Sequence, residues 1–168
     1  MVDGRSPHRY TRRMTTQAHV FQLNMSKGGV PKRPLPTAEI NQLGIVGDEQ
    51  RDTLHHGGPE RALSLYSLEH ILALQAEGHP IYPGSVGENV TITGLDWGKV
   101  VPGVRLCLGA VEIEITSYAV PCRTIRTSFK DEEFGRIGEK QHAGWSRAYA
   151  RVLQGGKLQI GDAVMLYE

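Results

Sequence analysis

The stretch that decides the fold is Val111-Glu112-Ile113-Glu114-Ile115-Thr116. Its three branched apolar side chains alternate with polar ones, which is the pattern of a half-buried antiparallel strand. Residues 104–108 form a second short apolar run, and Gly109-Ala110 lies between the two runs. Glycine reaches positive φ without steric cost, so this dipeptide can close a tight turn. The sequence therefore predicts a β-hairpin over residues 104–116.

Short strands are predicted at six further places, nearly all of them next to glycine: residues 18–24, 39–43, 62–66, 89–93, 149–153 and 163–167. Gly155-Gly156 and Gly161-Asp162 are expected to form hairpin turns. Many short strands joined by glycine turns favour an all-β barrel or sandwich over βαβ units. The predicted fold class is therefore mainly β, a compact barrel with one or two short helices.

One helix is predicted to begin after Ser67, which is a suitable N-cap, and to end before Gly78 and Pro80. Its apolar stripe is expected to face the core and consists of Leu68, Ile71, Leu72 and Ala76. A second, weaker helical turn is expected around residues 134–137.

The composition is that of a globular protein of one domain, with 168 residues, 22% charged and 7% aromatic residues. Residues 1–17 are expected to be a basic, disordered tail, and residues 18–168 a single domain. The first 16 residues hold four arginines and one aspartate, against a net charge of +1 for the whole chain, so the remainder is nearly neutral. Apolar patterning begins only at Ala18, which suggests that translation starts at Met14; loss of fold on starting there would contradict this.

The near-neutral body lacks a basic stripe interleaved with aromatic residues, which argues against nucleic-acid binding. The sequence also lacks a run of about 18 apolar residues and the apolar segment of a secretory signal. No membrane association and a cytoplasmic location are therefore expected.

Cys122 is the better functional candidate of the two cysteines. It lies between Pro121 and two arginines, Arg123 and Arg126, and nearby cations favour the thiolate, which attacks electrophiles or binds soft metals. Cys107 lies within a predicted strand, where a small buried apolar residue is the expected role. The residues alone leave open whether Cys122 is functional.

Three glycine-bearing loops could bind an anion. We call residues 26–32 the first glycine loop, residues 55–61 the second and residues 83–89 the third. Successive glycines let backbone N–H groups converge on an oxygen anion, and an adjacent Lys or Arg adds charge. Plain turns are the alternative for each loop, and neither a Walker motif nor a dinucleotide fingerprint occurs.

The remaining polar residues give weaker signals. His55 and His56 are adjacent and would point to opposite faces of an extended segment, which argues against a zinc hydrolase. Glu88 and Asp48 could act as acid or base, but neither has a partner at a diagnostic spacing, so a solvated or turn-stabilising role is expected.

Taken in order, the motifs resemble the MOSC domain family, named from the molybdenum-cofactor sulfurase C-terminus. The resemblance covers residues 20–166, is closest to the small stand-alone bacterial members, and rests on Ser26-Lys27-Gly28-Gly29-Val30-Pro31-Lys32, Gly47-Asp48, His56-Gly57-Gly58-Pro59-Glu60-Arg61-Ala62, Gly84-Ser85-Val86-Gly87-Glu88-Asn89, Pro121-Cys122 and Gly161-Asp162. It implies a β-barrel like that of pyruvate kinase, a molybdenum–pterin cofactor (molybdopterin) and a cysteine thiolate on the metal.

By motif position, Cys122 would be that metal ligand and the catalytic residue. The residues that would surround the phosphate and pterin of the cofactor are Lys27, Gly28, Gly29, His56, Gly57, Gly58, Arg61, Glu88, Asn89, Arg123 and Arg126.

The resemblance also suggests an activity, the reduction of N-hydroxylated compounds such as hydroxylaminopurines. The chain has no iron–sulfur cysteine set and no flavin or nicotinamide fingerprint, so a separate reductase is expected to deliver electrons. Two alternatives stay open. One is a non-catalytic carrier in which Cys122 holds a persulfide or the molybdenum cofactor, and the other is a structural barrel whose loops bind an unrelated anion. The oligomeric state stays open.

Overall fold

The computed structural model describes residues 17–49 and 57–167. The predicted tail and the proposed start at Met14 therefore lie outside the described residues, apart from Gln17. The strands are β1 His19–Met25, β2 Arg33–Leu35, β3 Thr37–Asn41, β4 Gly44–Ile45, β5 Leu63–Ser67, β6 Val90–Thr93, β7 Arg105–Leu108, β8 Val111–Tyr118, β9 Ala148–Gln154, β10 Gly156–Gln159 and β11 Val164–Tyr167. The α-helix α1 is Leu68–Ala76, and 3₁₀ segments lie at Pro59–Arg61, Trp97–Lys99, Arg123–Ser128, Lys130–Glu132 and Phe134–Ile137.

The alternation in β8 places its apolar side chains in the core, as predicted. Val111, Ile113 and Ile115 are at most 1% exposed, whereas the polar residues between them are half-buried. β7 and β8 pair antiparallel with Leu108 opposite Val111, and this confirms the hairpin. The mainly β class is confirmed.

The strands form an eight-stranded sheet in the order β11-β7-β8-β9-β5-β6-β1-β2 and a three-stranded sheet in the order β10-β3-β4. The sheets are not closed into a barrel. The Val20 N–H does donate to Asp162 O and the Val164 N–H to Ala18 O, at 2.9 and 2.8 Å. However, only one isolated bridge, between His19 and Ala163, joins these two segments, so no continuous ladder of hydrogen bonds closes the sheet.

One pair in the large sheet belongs to a βαβ unit, which the sequence pattern argued against. β5 and β6 are parallel, and α1 lies between them in the chain, since parallel neighbours need a crossover. Ser67 caps the helix by accepting a hydrogen bond from the His70 N–H, as predicted. The expected stripe is partly wrong, because Leu72 is 53% exposed while Ile71 and Leu74 are the buried residues of the helix.

The hairpin turns predicted at Gly155-Gly156 and Gly161-Asp162 are not present. β9 pairs with β5 and β8, whereas β10 pairs with β3, so Gly155-Gly156 carries the chain from one sheet to the other. Asp162 closes a turn with its N–H on Gln159 O at 3.1 Å, but the flanking strands β10 and β11 belong to different sheets.

The outer strand β2 has three residues and includes Pro34. Among the described strands, β1 is its one partner. In the part of the chain that the structure describes, no helix has the length and apolarity needed to span a membrane. The helical turn expected around residues 134–137 is confirmed as the 3₁₀ segment Phe134–Ile137.

Candidate functional site

Asp48 joins the first and third glycine loops. Its side chain is 6% exposed and pairs with Lys32 Nζ at 2.5 Å. The same carboxylate accepts hydrogen bonds from the Ser26 N–H at 2.8 Å and from Asn89 Nδ2 at 2.9 Å. Of the two roles expected for Asp48, solvated or turn-stabilising, the structure excludes the first, because this carboxylate is buried and accepts hydrogen bonds from two loops.

Asn89 fixes the third glycine loop to the sheet. Its N–H donates to Ser64 O on β5 at 2.8 Å, and its carbonyl accepts from the Asn24 N–H on β1 at 2.8 Å. Its side-chain Oδ1 accepts from the Ser64 N–H at 3.1 Å. Asn89 is 2% exposed, so its contacts in the structure are internal ones, and contact with a cofactor stays a prediction.

Glu88 is fully buried, and its carboxylate has one partnered and one unpartnered oxygen. Oε1 accepts from the Gly84 N–H at 2.7 Å and from Thr91 Oγ1 at 3.1 Å, while Oε2 has no hydrogen-bond partner among the described residues. Burial raises the pKa of this carboxyl above its usual value, although these hydrogen bonds and the charge of Arg147 act in the opposite direction. The raised pKa favours the protonated, uncharged carboxyl, and an uncharged group is suited to holding the third glycine loop where it is buried.

Arg147 lies near Glu88 and is only 7% exposed. Its Nη1 donates to Val86 O in the third loop at 2.6 Å, whereas its Nε is buried without a partner among the described residues. Two polar atoms near the third loop, Glu88 Oε2 and Arg147 Nε, are thus left for a further polar group, since buried polar atoms are usually hydrogen-bonded.

Lys27 and its glycines lie in a loop that Ser26 organises. The Gly28 N–H donates to Ser26 Oγ at 3.3 Å, and this hydroxyl donates to Gly29 O at 2.9 Å. Gly28 and Gly29 have φ values of 113° and 78°. Lys27 is exposed, so its ammonium group is available to an anion beside this turn.

The glycines of the third loop serve protein packing. A Cβ on Gly84 would lie 2.4 Å from Lys32 O and 3.1 Å from Asn24 Oδ1, and a Cβ on Gly87 would lie 3.1 Å from Val30 Cγ1. Protein contacts therefore account for the absence of a side chain at both positions, and ligand binding by this loop stays a prediction. The two glycines allow the third loop to contact the first.

The second glycine loop is described from Gly57 onward, so His55 and His56 lie outside the described residues. Gly58 is exposed, and a Cβ there would meet no atom of the described residues within 4 Å. The loop lies on β8 and β9: Glu60 O accepts from Thr116 Oγ1 at 2.5 Å, and the Arg61 guanidinium lies 5.5 Å from the Tyr149 ring centroid. The exposed backbone at Gly58 is open to a ligand.

Cys122 lies in the loop that follows β8, immediately before the 3₁₀ segment Arg123–Ser128. It is a free, half-buried thiol. Its carbonyl accepts from the Ile125 N–H at 3.1 Å, and Ser128 Oγ donates to Ser85 O in the third loop at 3.2 Å. The Cys122 segment is thereby attached to the third loop.

The two arginines that follow Cys122 differ in their surroundings. Arg123 is exposed. Arg126 donates from Nη1 to Arg123 O at 3.1 Å, and its Nε lies 3.6 Å from Glu132 Oε1. Glu132 thus offsets part of the positive charge that the sequence places beside the thiol.

Cys107 is half-buried on β7 rather than fully buried as expected. Its Sγ lies 3.2 Å from Tyr167 Oη. Neither residue belongs to a glycine loop.

A cleft of about 430 Å³ opens beside the first and third loops, and its lining includes Gln22, Lys32, Arg33 and Tyr82. The exposed Arg33 adds a cation there. Within residues 17–49 and 57–167, no three His, Cys, Asp or Glu side chains come together in a way that would hold a metal ion.

Sequence reasoning missed three polar residues that hold the loops, Asn24, Ser64 and Arg147. Each is a buried polar residue at or beside a predicted apolar strand. That position was a usable signal, because a buried polar side chain needs internal partners. What the sequence could not supply was the partner, which in the case of Asn24 and Thr91 lies 67 residues away.

A sequence model described as "MOSC domain" matches residues 52–165. Protein YflK of Bacillus subtilis is 29% identical over 135 residues, covering 79% of this chain and 60% of YflK. A protein named "Reductase" from Gibberella moniliformis is 33% identical over 131 residues, covering 74% of this chain and 23% of its own length. Protein YiiM of Escherichia coli is 29% identical over 63% of this chain and 50% of YiiM. The chain thus spans less than two thirds of each of these relatives.

Solved structures share the fold. YiiM from Geobacillus stearothermophilus superposes with a TM-score of 0.70 at 22% identity, over 90% of this chain and 75% of that one. The YuaD protein of Bacillus subtilis gives a TM-score of 0.70 at 18% identity, over 90% of this chain and 97% of that one.

Proposed function

Since the chain belongs to the MOSC domain family, which is associated with the molybdenum cofactor, we propose that it binds this cofactor through Cys122 and reduces N-hydroxylated compounds. The coarser statement, a molybdenum-cofactor-related domain, follows from the family. The observation that carries the finer proposal is the free, half-buried thiol of Cys122, in a segment attached to the third glycine loop. The relative named "Reductase" supports the redox class.

The described residues fit such a cofactor by their chemistry. A thiolate is a soft ligand of the kind that soft metal centres select. Anionic phosphate would suit the exposed ammonium of Lys27 and the guanidinium of Arg61, near open backbone at Gly58. Arg123 and Arg126 would add positive charge near the thiol, and His56 and Gly57 would extend the second loop's contribution.

When bound, the cofactor would supply two-electron redox chemistry at its metal. The overall reaction takes an N–OH group, two electrons and two protons and gives an N–H group and water. The N–O bond breaks, the substrate nitrogen is reduced, and a separate reductase supplies the electrons. In this reaction Cys122 would hold the metal and the loops would hold the phosphate and pterin, while the buried Asp48 and Asn89 keep the first and third loops in register. A cytoplasmic location is part of the proposal.

Metal analysis tests the proposal most directly. Protein purified from a host that makes the molybdenum cofactor is expected to carry molybdenum and pterin, and Cys122→Ser is expected to lose both. Cys107→Ser is the matched control and is expected to keep them, since Cys107 contacts Tyr167 rather than a glycine loop. Metal-free wild-type protein from such a host would contradict cofactor binding.

The activity needs a second measurement. The molybdenum-loaded protein is expected to reduce hydroxylaminopurine with an artificial electron donor, and Cys122→Ser is expected to be inactive. Molybdenum-loaded protein without turnover would contradict the enzyme and favour a carrier of the cofactor or of sulfur.

A further inference from the structure

Residues 145–147, which lead into β9, are held by two aromatic side chains. Tyr66 Oη on β5 donates to Trp145 O at 2.7 Å, and Trp97 Nε1 donates to Ser146 O at 2.9 Å. Tyr66 and Trp97 are 0% and 6% exposed, so both donors come from the core. Residues 145–147 are therefore a fixed support beside the end of β8, with which β9 pairs.

The stem of the chain that leads to Cys122 is attached to this support. The Ala119 N–H donates to Arg147 O at 2.9 Å. Ser146 Oγ lies within hydrogen-bond distance of both Ala119 O and Arg147 O, at 3.0 and 2.9 Å. Cys122 follows Ala119 by three residues, a span of at most about 11 Å. The backbone of Arg147 thus fixes the stem before the thiol.

The stem that follows Cys122 is a 3₁₀ segment fixed at its far end. Cys122 is the N-cap of Arg123–Ser128, and its carbonyl accepts from the Ile125 N–H at 3.1 Å. Ser128 ends the segment, is 5% exposed, and donates from Oγ to Ser85 O in the third glycine loop at 3.2 Å. The position of this stem therefore depends on the third loop.

The Arg147 side chain holds the third loop beside that contact. Its Nη1 donates to the carbonyl of Val86, the residue after Ser85, at 2.6 Å, and a charged donor makes a stronger hydrogen bond than a neutral one. Arg147 thus acts on both stems. Its carbonyl holds the stem before Cys122, and its guanidinium, through the third loop, holds the stem after it.

The burial of Arg147 makes this hydrogen bond important. The side chain belongs to a residue only 7% exposed, and burying a charge costs free energy unless it is compensated. The ion pairs of the described residues do not include Arg147. Burial raises the pKa of the nearby Glu88 carboxyl, which therefore favours its uncharged form. The described contact that compensates for the guanidinium charge is the bond to Val86 O, and this ties Arg147 to the third loop.

We propose that Arg147 is a positioning residue for the Cys122 thiol, because it fixes both stems of the loop 119–128 and so presents the thiol in one arrangement before a ligand binds. A preorganised group loses less conformational entropy on binding. Arg147 acts through the third loop and is not itself a ligand of the metal. In its consequence for metal binding, this inference rests on the proposed function.

Hydrogen exchange in the metal-free protein tests the loop without any cofactor. Arg147→Met keeps a long unbranched side chain and removes the donor to Val86 O. The Ile125 amide, which is bonded to Cys122 O, is expected to exchange about tenfold faster or more, as expected for the loss of a hydrogen bond from a charged group. The amides of β8 report global unfolding, and the change at Ile125 is expected to exceed theirs. Arg147→Lys retains a donor and is expected to recover most of the protection.

Ser128→Ala covers the case in which Arg147→Met does not fold. It removes the contact with Ser85 O and is expected to speed exchange at Ile125 about fivefold. The matched control is Thr127→Ala, which removes an exposed hydroxyl from the same segment and is expected to leave the rate unchanged. In the double variant, Arg147→Met is expected to add little to Ser128→Ala, because the guanidinium acts through this contact. Fully additive effects, or an Ile125 amide that follows the β8 amides in both variants, would overturn the inference.

Molybdenum content connects the loop to the proposed function. From a host that makes the cofactor, Arg147→Met is expected to retain about tenfold less molybdenum per folded chain than wild type, and Arg147→Lys to regain most of it. Full molybdenum content in Arg147→Met, despite faster exchange at Ile125, would overturn the positioning role. Metal-free wild type together with the expected exchange rates would contradict the proposed function alone.

Discussion

The second and third glycine loops each contain two glycines, but the glycines have different surroundings. In the third loop, a Cβ on Gly84 would lie 2.4 Å from Lys32 O, so this glycine permits contact between two loops. In the second loop, a Cβ on Gly58 would have no neighbour within 4 Å in the part of the chain that the structure describes. The comparison shows that a glycine motif does not by itself indicate ligand contact. The third loop is part of a buried polar junction, and the second is open.

The largest effect is expected at the junction. Asp48→Ala removes the acceptor of three hydrogen bonds and leaves Lys32, whose side chain is 9% exposed, without its partner. Breaking a buried ion pair in this way should lower the free energy of unfolding by about 3–5 kcal/mol. Urea unfolding measures this, with Glu49→Ala, an exposed neighbour, as the control. The double variant Asp48→Ala/Lys32→Met should recover part of the loss, and no recovery would contradict the ion pair as the cause.

A pair of glycine substitutions tests the comparison itself. Gly58→Ala and Gly84→Ala both place a Cβ at a positive φ, +82° and +90°, and such backbone strain alone costs about 1–3 kcal/mol. Gly84→Ala also meets backbone and should cost about 3 kcal/mol or more, since overpacking adds about 1–3 kcal/mol. Urea unfolding of both variants gives the difference. Equal losses would mean that the two loops are equally open.

The buried carboxyl of the third loop predicts a pH dependence. Burial raises the pKa of Glu88 in the folded protein above the unfolded value of about 4.3. The folded protein therefore holds this proton to higher pH, and the contribution of Glu88 to stability falls as the pH rises from the unfolded to the folded pKa. The slope is at most about 1.4 kcal/mol per pH unit for one proton.

Glu88→Gln should abolish this falling limb, because the amide does not titrate and can still accept from the Gly84 N–H. Unfolding free energies measured from pH 4.5 to 8 test this against wild type, with the exposed Glu133→Gln as control. An unchanged pH profile in Glu88→Gln would show that this carboxyl does not carry the dependence.

The smallest effect on stability is expected in the open loop. Arg61→Ala removes a guanidinium 5.5 Å from the Tyr149 ring centroid, and the loss of this contact by itself should cost about 0.5–1 kcal/mol. If Arg61 binds the cofactor phosphate, Arg61→Ala should lose most of its bound molybdenum although its stability falls only slightly. Lys157→Ala, an exposed cation on β10, is the control and should change neither quantity. Full molybdenum content in Arg61→Ala would remove this residue from the proposed site.

Local patterns predicted the regular part of the fold. The alternation of residues 111–116 gave β8 and its hairpin partner, and Ser67 gave the start of α1. β2 and β4 were missed, because strands of two or three residues carry too little periodicity. β10 was missed because its first residue, Gly156, was expected to belong to a hairpin turn. The parallel pairing of β5 with β6 was missed because it depends on where the helix packs.

The candidate site was predictable as an ordered set of motifs but not as a set of contacts. The sequence singled out Cys122, Lys27 and the glycine loops, and the structure attaches the Cys122 segment and the first loop to the third. It could not distinguish Gly84 from Gly58, since this depends on Lys32 O, a backbone atom 52 residues away along the chain.

Pro34 in the outer strand β2 removes one backbone N–H from the free side of the eight-stranded sheet. On the β11 side, residues 161–164 are occupied by hydrogen bonds with β1. A strand from another molecule therefore finds a short, proline-interrupted template at β2, and such edges resist the edge-to-edge pairing that begins aggregation. The eight-stranded sheet does not close into a barrel, yet its two outer edges are thus poor templates for pairing with a strand of another molecule.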